Sequence, residues 1–224
     1  MCFPAYSGAP VTAPANRLAA ESAVGEPMLV KLVLRPQWGA VVDAIGGGPL
    51  IVRDGQPVFA ALEDLKGRFH EISRDGLKTA IDISAYSLVA LSRAALPLFD
   101  KAGGGSVMSL TYNAVDRVVP SYNSMAMAKA VLEAETRYLA ADLGPHNVRV
   151  NAISAGPLKT LAGSAVKGVS QARDLMVEKA PLRRNITQDE VGNVAVFLAS
   201  EWSRAVTGDT IFADNGFNIL GVTE

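Results

Sequence analysis

From residue 28 onward the chain alternates between short aliphatic runs and breakers. Residues 28–34, 38–45 and 48–52 are rich in Leu, Val and Ile, and they are separated by Pro36, by the glycines at 46–48 and by the turn signal Arg-Asp-Gly-Gln-Pro at 53–57. Runs of this length and branching predict strands. Between 75 and 99 the period changes: Leu77, Ile81, Leu88, Leu91 and Ala95 recur every three or four positions. That spacing predicts one face of a helix, ended by the glycines at 103–105. Residues 106–112 read as a buried strand, 122–144 as a long helix closed by Gly144 and Pro145, and 148–154 as another strand. After a Gly- and Lys-containing stretch at 155–168, Thr187 and Glu190 have the spacing of a capping box that opens a helix through Ala199, followed by a last strand at 210–214.

Helices alternating with short aliphatic strands predict right-handed crossovers and a doubly wound α/β fold, a Rossmann-like parallel sheet covered on both faces. Ligands bind such sheets beyond the C-terminal ends of the strands, which here are Tyr112, the segment 155–160 and the Asn215-Gly216 pair. The 224 residues, 49% hydrophobic, suffice for one sizeable core. The expected organisation is a disordered Ala/Pro/Ser-rich tail over 1–26 and a single domain over 27–224. A net charge of −1 with only 19% charged residues argues against a nucleic-acid partner or a charge-driven membrane partner. No run reaches the roughly 18 uninterrupted apolar residues of a spanning helix, and the first residues lack the basic-then-apolar order of a secretory signal. Cys2 is the one cysteine, which excludes an intramolecular disulfide and a Cys-rich metal site. A cytoplasmic protein handling small molecules, without a metal, is the expectation.

Tyr122 and Lys129 are seven residues apart on the predicted helix and so share a face, about 10 Å apart along its axis. A phenol is a poor proton source or sink at neutral pH unless a cation stabilises its anion, and a lysine ammonium supplies one. The pair reads as an acid catalyst; the plainer alternative is a half-buried Tyr and a solvated Lys on an amphipathic helix. His70 and His146 read as surface histidines, and Met125 and Met127 as core or interface filler.

A second tyrosine, Tyr112, ends the preceding strand. The segments 74–91, 110–164 (LTYNAVDRVVPSYNSMAMAKAVLEAETRYLAADLGPHNVRVNAISAGPLKTLAGS), 181–200 and 206–221 together resemble the NADH-dependent enoyl-acyl-carrier-protein reductases of fatty-acid synthesis. These are a divergent branch of the short-chain dehydrogenase/reductases, with six rather than three residues between Tyr and Lys and an added upstream Tyr, and the resemblance covers about 65–222. It implies reduction of the trans-2 double bond of an enoyl thioester carried on acyl carrier protein, with NADH as cofactor. In that reading Tyr122 stabilises the enolate, Lys129 holds the nicotinamide ribose, and Tyr112 lines the substrate pocket. Leu158, Lys159, Thr160, Leu161 and Ala162 match the family's nicotinamide- and pyrophosphate-contacting segment, although a Gly-Pro turn alone would explain part of that motif. The resemblance also implies a homotetramer, built through the helices matching 75–99 and 122–144.

The sequence departs from the family at its front, where the glycine-rich turn that opens a pyrophosphate-binding helix is not visible. The chain reads as N-terminally truncated or altered. Extending the match back over 41–49 would make Ile45 a cofactor neighbour and Gly48 a substrate neighbour. The same stretch, continued to 58, alternatively reads as a β-hairpin resembling a piece of phosphodiester glycosidase domains, which gives a phosphodiester-cleaving module as a third reading. Beyond Thr160 the family places an aromatic side chain over the acyl pocket, where this chain has Gly168-Val169. The rival to the reductase is therefore a non-catalytic oligomerising remnant of the same family, without a competent cofactor site.

Overall fold

A computed structural model describes residues 28–30, 52–53, 56–57, 62–65, 67–158 and 169–221. Two strands form its centre. β4 (Gly105–Thr111) and β5 (Val148–Ala155) run parallel, with Gly105 opposite Val148 and Thr111 opposite Ser154. Both are buried along most of their length, as a parallel sheet covered on two faces requires. β1 (Met28–Val30) pairs with β4, and β6 (Thr210–Ala213) with β5, both parallel, in the order β1-β4-β5-β6. A separate antiparallel pair, β2 (Val52–Arg53) and β3 (Gln56–Pro57), flanks the predicted turn at Asp54-Gly55. The hairpin expected over 41–58 is thus present at its C-terminal end, and its remainder, like the run at 38–45 and the tail 1–26, lies outside the described residues.

The helices are α1 (Leu62–Leu65), α2 (Arg74–Ile81), α3 (Ser87–Ala102), α4 (Asn123–Leu143), α5 (Val169–Lys179) and α6 (Gln188–Ala199). Alternation along β4 and β5 divides their side chains between two cores. Val107, Val148 and Val150 meet Leu88, Phe99, Leu132 and Leu139 of α3 and α4 on one face. Met108 and Ile153 meet Val191 and Leu198 of α6 on the other. The doubly wound arrangement is therefore the one expected.

Two departures have local causes. The predicted helix at 75–99 is continuous from Arg74 to Ala102 but contains a π turn, Asp82–Tyr86. The extra residue in that turn rotates the inward stripe to Ala80, Ala85, Leu88, Ser92, Ala95 and Phe99, leaving Leu77, Ile81 and Leu91 at its half-buried margin. This 29-residue helix has the length and composition to cross a bilayer, unlike any uninterrupted apolar run in the sequence, yet its inward stripe is packed on the sheet. Helix α5 has no counterpart in the sequence reading, because Met176 is the only fully buried large side chain among its described residues and its apolar periodicity is weak.

Caps fix the helix ends. Gly103 adopts φ 82° and ends α3, a left-handed conformation that suits glycine. At α6 the expected capping box forms: Glu190 N donates to Thr187 Oγ1 at 3.2 Å and Thr187 N to Glu190 Oε2 at 2.8 Å. The Arg184 guanidinium, 2.6 Å from Glu190, is the main cause holding that carboxyl down to about 2, with the Thr187 amide second. Its contribution to stability is present above the ordinary value of 4.5 and is lost as pH falls toward 2. Thr187→Ala is expected to cost about 1 kcal/mol, measured as a lower urea midpoint with an unchanged denaturant slope.

Candidate active site

Parallel strands that end together create a shelf, and α4 starts above it. Tyr112 follows the last residue of β4 with extended backbone (φ −150°, ψ 147°), and the short 3-10 turn Asn113–Val115 then leads the chain away. Ser121 takes φ 62° just before α4, reversing the chain so that Tyr122 caps the helix. The two rings meet edge to face, with centroids 5.1 Å apart and planes at 62°, a geometry that aligns the ring quadrupoles favourably. Tyr122 also packs on Leu65, Ala80, Met125 and Ala128.

Burial raises both phenols above their ordinary value of 10, Tyr122 the more strongly and with a further push from the neighbouring Tyr112. Both therefore hold their protons at neutral pH. The Lys129 ammonium donates to the Leu110 carbonyl at 2.7 Å, and desolvation is the leading cause of the rise at Tyr122.

Several side chains absent from the sequence reading support the pair. Thr111 Oγ1 donates to Glu133 Oε1 at 2.6 Å, one helical turn beyond Lys129. Asn123 Nδ2 reaches the carbonyls of Leu65 (3.5 Å) and Gly67 (3.4 Å), and Ser124 Oγ reaches that of Asp64 (3.4 Å). The Asp64 carboxylate accepts from Ser73 N at 2.6 Å and Ser73 Oγ at 2.9 Å, so α1 ties the start of α2 to the start of α4. Gly76 is required there because a Cβ would overlap the Asp64 carboxylate. Glu133 had a signal: at about 100° per residue, positions 122, 129 and 133 fall within roughly 40° of arc, and a carboxylate on that face is out of place in a core helix.

Past β5, Gly156 N donates to Ala213 O at 3.0 Å, and a Cβ on Gly156 would press on Ile186 and Met176 at 3.2 Å. Leu158 packs onto the α6-side core. Asn215 and Gly216 both have positive φ and end β6 in a knot in which Asp214 accepts from Gly216 N and Asn218 N. The structure thus brings Tyr112 and Tyr122 into contact with Lys129 behind them. Ile45, Gly48, Lys159, Thr160, Leu161 and Ala162 lie outside the described residues. His70 and His146 are surface residues as expected, the latter paired with Asp100 at 2.7 Å. Met125 is core and Met127 exposed.

A family model described as enoyl-(acyl carrier protein) reductase matches residues 57–218. An NADH enoyl-acyl-carrier-protein reductase of Nostoc is 52% identical over 164 residues, covering 73% of this chain and 63% of the relative. The crystal structure of the Bacillus cereus enoyl-acyl carrier protein reductase with NADP+ and an indole naphthyridinone is similar at TM-score 0.70 and 50% identity, covering 73% of this chain and 63% of that one. The Anaplasma phagocytophilum reductase in complex with NAD is similar at TM-score 0.71 and 32% identity, covering 94% and 69%. The chain thus spans 63% of the length of the Nostoc relative.

Glu133 supplies a pH signature for the site. Burial is the leading cause that raises its carboxyl above the ordinary 4.5; Asp116 adds to the rise, while the Thr111 hydroxyl, Arg137 and Lys129 oppose it. The folded chain binds this proton more tightly than the unfolded one, so the associated stability is present below 4.5 and is lost as pH rises through the raised folded value. Urea midpoints measured against pH are expected to show the parent chain losing stability relative to Glu133→Gln as pH rises above 4.5.

Proposed function

Because the chain belongs to the enoyl-(acyl carrier protein) reductase family, we propose that it reduces the trans-2 double bond of enoyl thioesters carried on acyl carrier protein in fatty-acid synthesis, with NADH as cofactor. The observation that carries the reading is the half-buried, edge-packed Tyr112–Tyr122 pair at the C-terminal edge of a parallel sheet, with Lys129 on the same helix face as Tyr122. Sheets of this kind bind their ligands at that edge.

The residues present fit the cofactor in one respect: Lys129 places an ammonium donor at the shelf where β4 ends, able to hold ribose hydroxyls. Leu158, and with it the segment 159–162, would line the nicotinamide side. When bound, NADH supplies the hydride. Tyr122 does the electrostatic work at the substrate. Its Oη donates to the thioester carbonyl oxygen, where negative charge grows as the double bond is reduced, and a preorganised donor is worth most at that place. Because burial raises its pKa, the phenol keeps that proton on Oη at neutral pH and binds the developing enolate as a donor. Tyr112 walls the pocket and orients the Tyr122 ring.

The protein is a soluble cytoplasmic oligomer in this reading. Leu98 on α3 and Tyr138 and Met127 on α4 are exposed apolar side chains on the two longest helices, and burying them against further copies, as a tetramer, accounts for an apolar helix pair better than a bilayer does. Leu98→Asp with Tyr138→Asp is expected to shift the sedimentation coefficient to that of a smaller species.

The decisive experiment is turnover of a crotonyl thioester with NADH, alongside an NADH titration followed by quenching of Trp38 and Trp202. Saturable binding and a loss of roughly 10²- to 10³-fold in kcat for Tyr122→Phe are expected. Absence of binding at millimolar NADH would replace the reductase with a non-catalytic relative, whereas equal turnover by Tyr122→Phe would remove the role given to Tyr122.

A further inference from the structure

Glu133 is the one buried carboxylate on α4 facing the sheet among the described residues, and the tyrosine chemistry makes no use of it. Burying a carboxyl is costly, and an apolar side chain would fill the same volume at less desolvation cost. Its partner is specific. Thr111 Oγ1 donates to Oε1 at 2.6 Å, both residues are buried, and Thr111 is the residue immediately before Tyr112. One turn earlier on the same helix, Lys129 Nζ holds the carbonyl of Leu110 at 2.7 Å. Two consecutive residues at the end of β4 are therefore gripped by two consecutive turns of α4. The groups that face Glu133 are Thr111 from β4, Asp116 from the connection after it, and Lys129 and Arg137 from its own helix. Deeper in the seam Ser109 and Thr136 hydroxyls lie 3.5 Å apart, a longer contact without charge.

We propose that Glu133 is the positioning residue of the tyrosine pair: by accepting the Thr111 hydroxyl it fixes the end of β4, and so the place of the Tyr112 ring against which Tyr122 stands. The assignment of a catalytic purpose to that pair rests on the reductase reading, whereas the geometry itself can be read without turnover. Two neutral changes separate the hydrogen bond from simple filling of space. Thr111→Val keeps the shape and removes the donor; Glu133→Gln keeps an acceptor oxygen and removes the charge.

The test is the near-ultraviolet circular dichroism of the coupled tyrosines, taken as the difference between each variant and the same variant carrying Tyr122→Phe, at a temperature well below unfolding. Thr111→Val and Glu133→Ala are expected to lose most of this difference signal and Glu133→Gln to keep it. In turnover the first two are expected to lower kcat by roughly 10- to 100-fold with KM little changed, as misplacement of a reacting group does. If Glu133→Ala fails to fold, Thr111→Val carries the result. Retention of the tyrosine signal by Thr111→Val, or its loss in Glu133→Gln to the same extent as in Glu133→Ala, would overturn the proposal. A chain that never turns over but shows the expected signal pattern would leave the positioning role standing and remove the reductase reading.

Discussion

The seam between α4 and β4 is the constraint on which the rest of the site depends. A strand repeats every two residues and a helix every 3.6, so the two present matching rows to each other only over a short length. Here that length runs from Val107, which packs on Leu132 and its neighbours, to Thr111, which meets Glu133. Along it the contacts change from apolar, through the hydroxyls of Ser109 and Thr136, to charged, at Glu133 and Lys129. The seam is driest where the sheet is central and most polar where the strand ends. That gradient lets a reactive edge rest on a rigid core: the apolar part supplies the stability, and the polar part fixes the direction in which the last residues leave the sheet.

Desolvation then decides the chemistry of the tyrosines. Their burial raises the cost of ionisation, and the edge-on neighbour adds to it for Tyr122. A lysine two turns away counts for less than the apolar packing of Leu65, Met125 and Ala128 around the ring. A phenol in such a place is a good donor and a poor base. It suits a reaction in which charge appears on an oxygen and must be met by an O–H, with no need for the proton to leave beforehand.

The parts of the fold legible in the sequence are those whose signal is local. The glycine stop at Gly103, the Thr187–Glu190 box and the aliphatic strand at 148–154 are each decided by a few adjacent residues, and each forms as read. Tyr112 and Tyr122 were legible as a motif, but their 5.1 Å contact was not, because it depends on Ser121 adopting φ 62°. Glu133 and Asp64 were missed because their partners, Thr111 and Ser73, are 22 and 9 residues away, and nothing local marks a buried carboxylate as satisfied. The π turn was hidden for a related reason: an extra residue in a helix leaves the composition unchanged and shifts only the phase of the buried stripe.

Two independent anchors hold the ends of the site. Below, Lys129 and Glu133 fix Leu110 and Thr111. Above, Asn123 and Ser124 in the first turn of α4 hold the backbone carbonyls of Asp64, Leu65 and Gly67, while the side chain of Asp64 caps the approach to α2 through Ser73. Tyr122 lies between them, and its own backbone carbonyl is occupied by Ala126 N at 2.9 Å as α4 begins. Loss of the lower anchor frees Tyr112 while leaving the start of α4 in place; loss of the upper one releases the wall of the Tyr122 pocket, formed by Leu65 and Ala80, while leaving β4 in place. The two tyrosines are therefore held by separate sets of bonds, and the ring contact between them is where those sets meet.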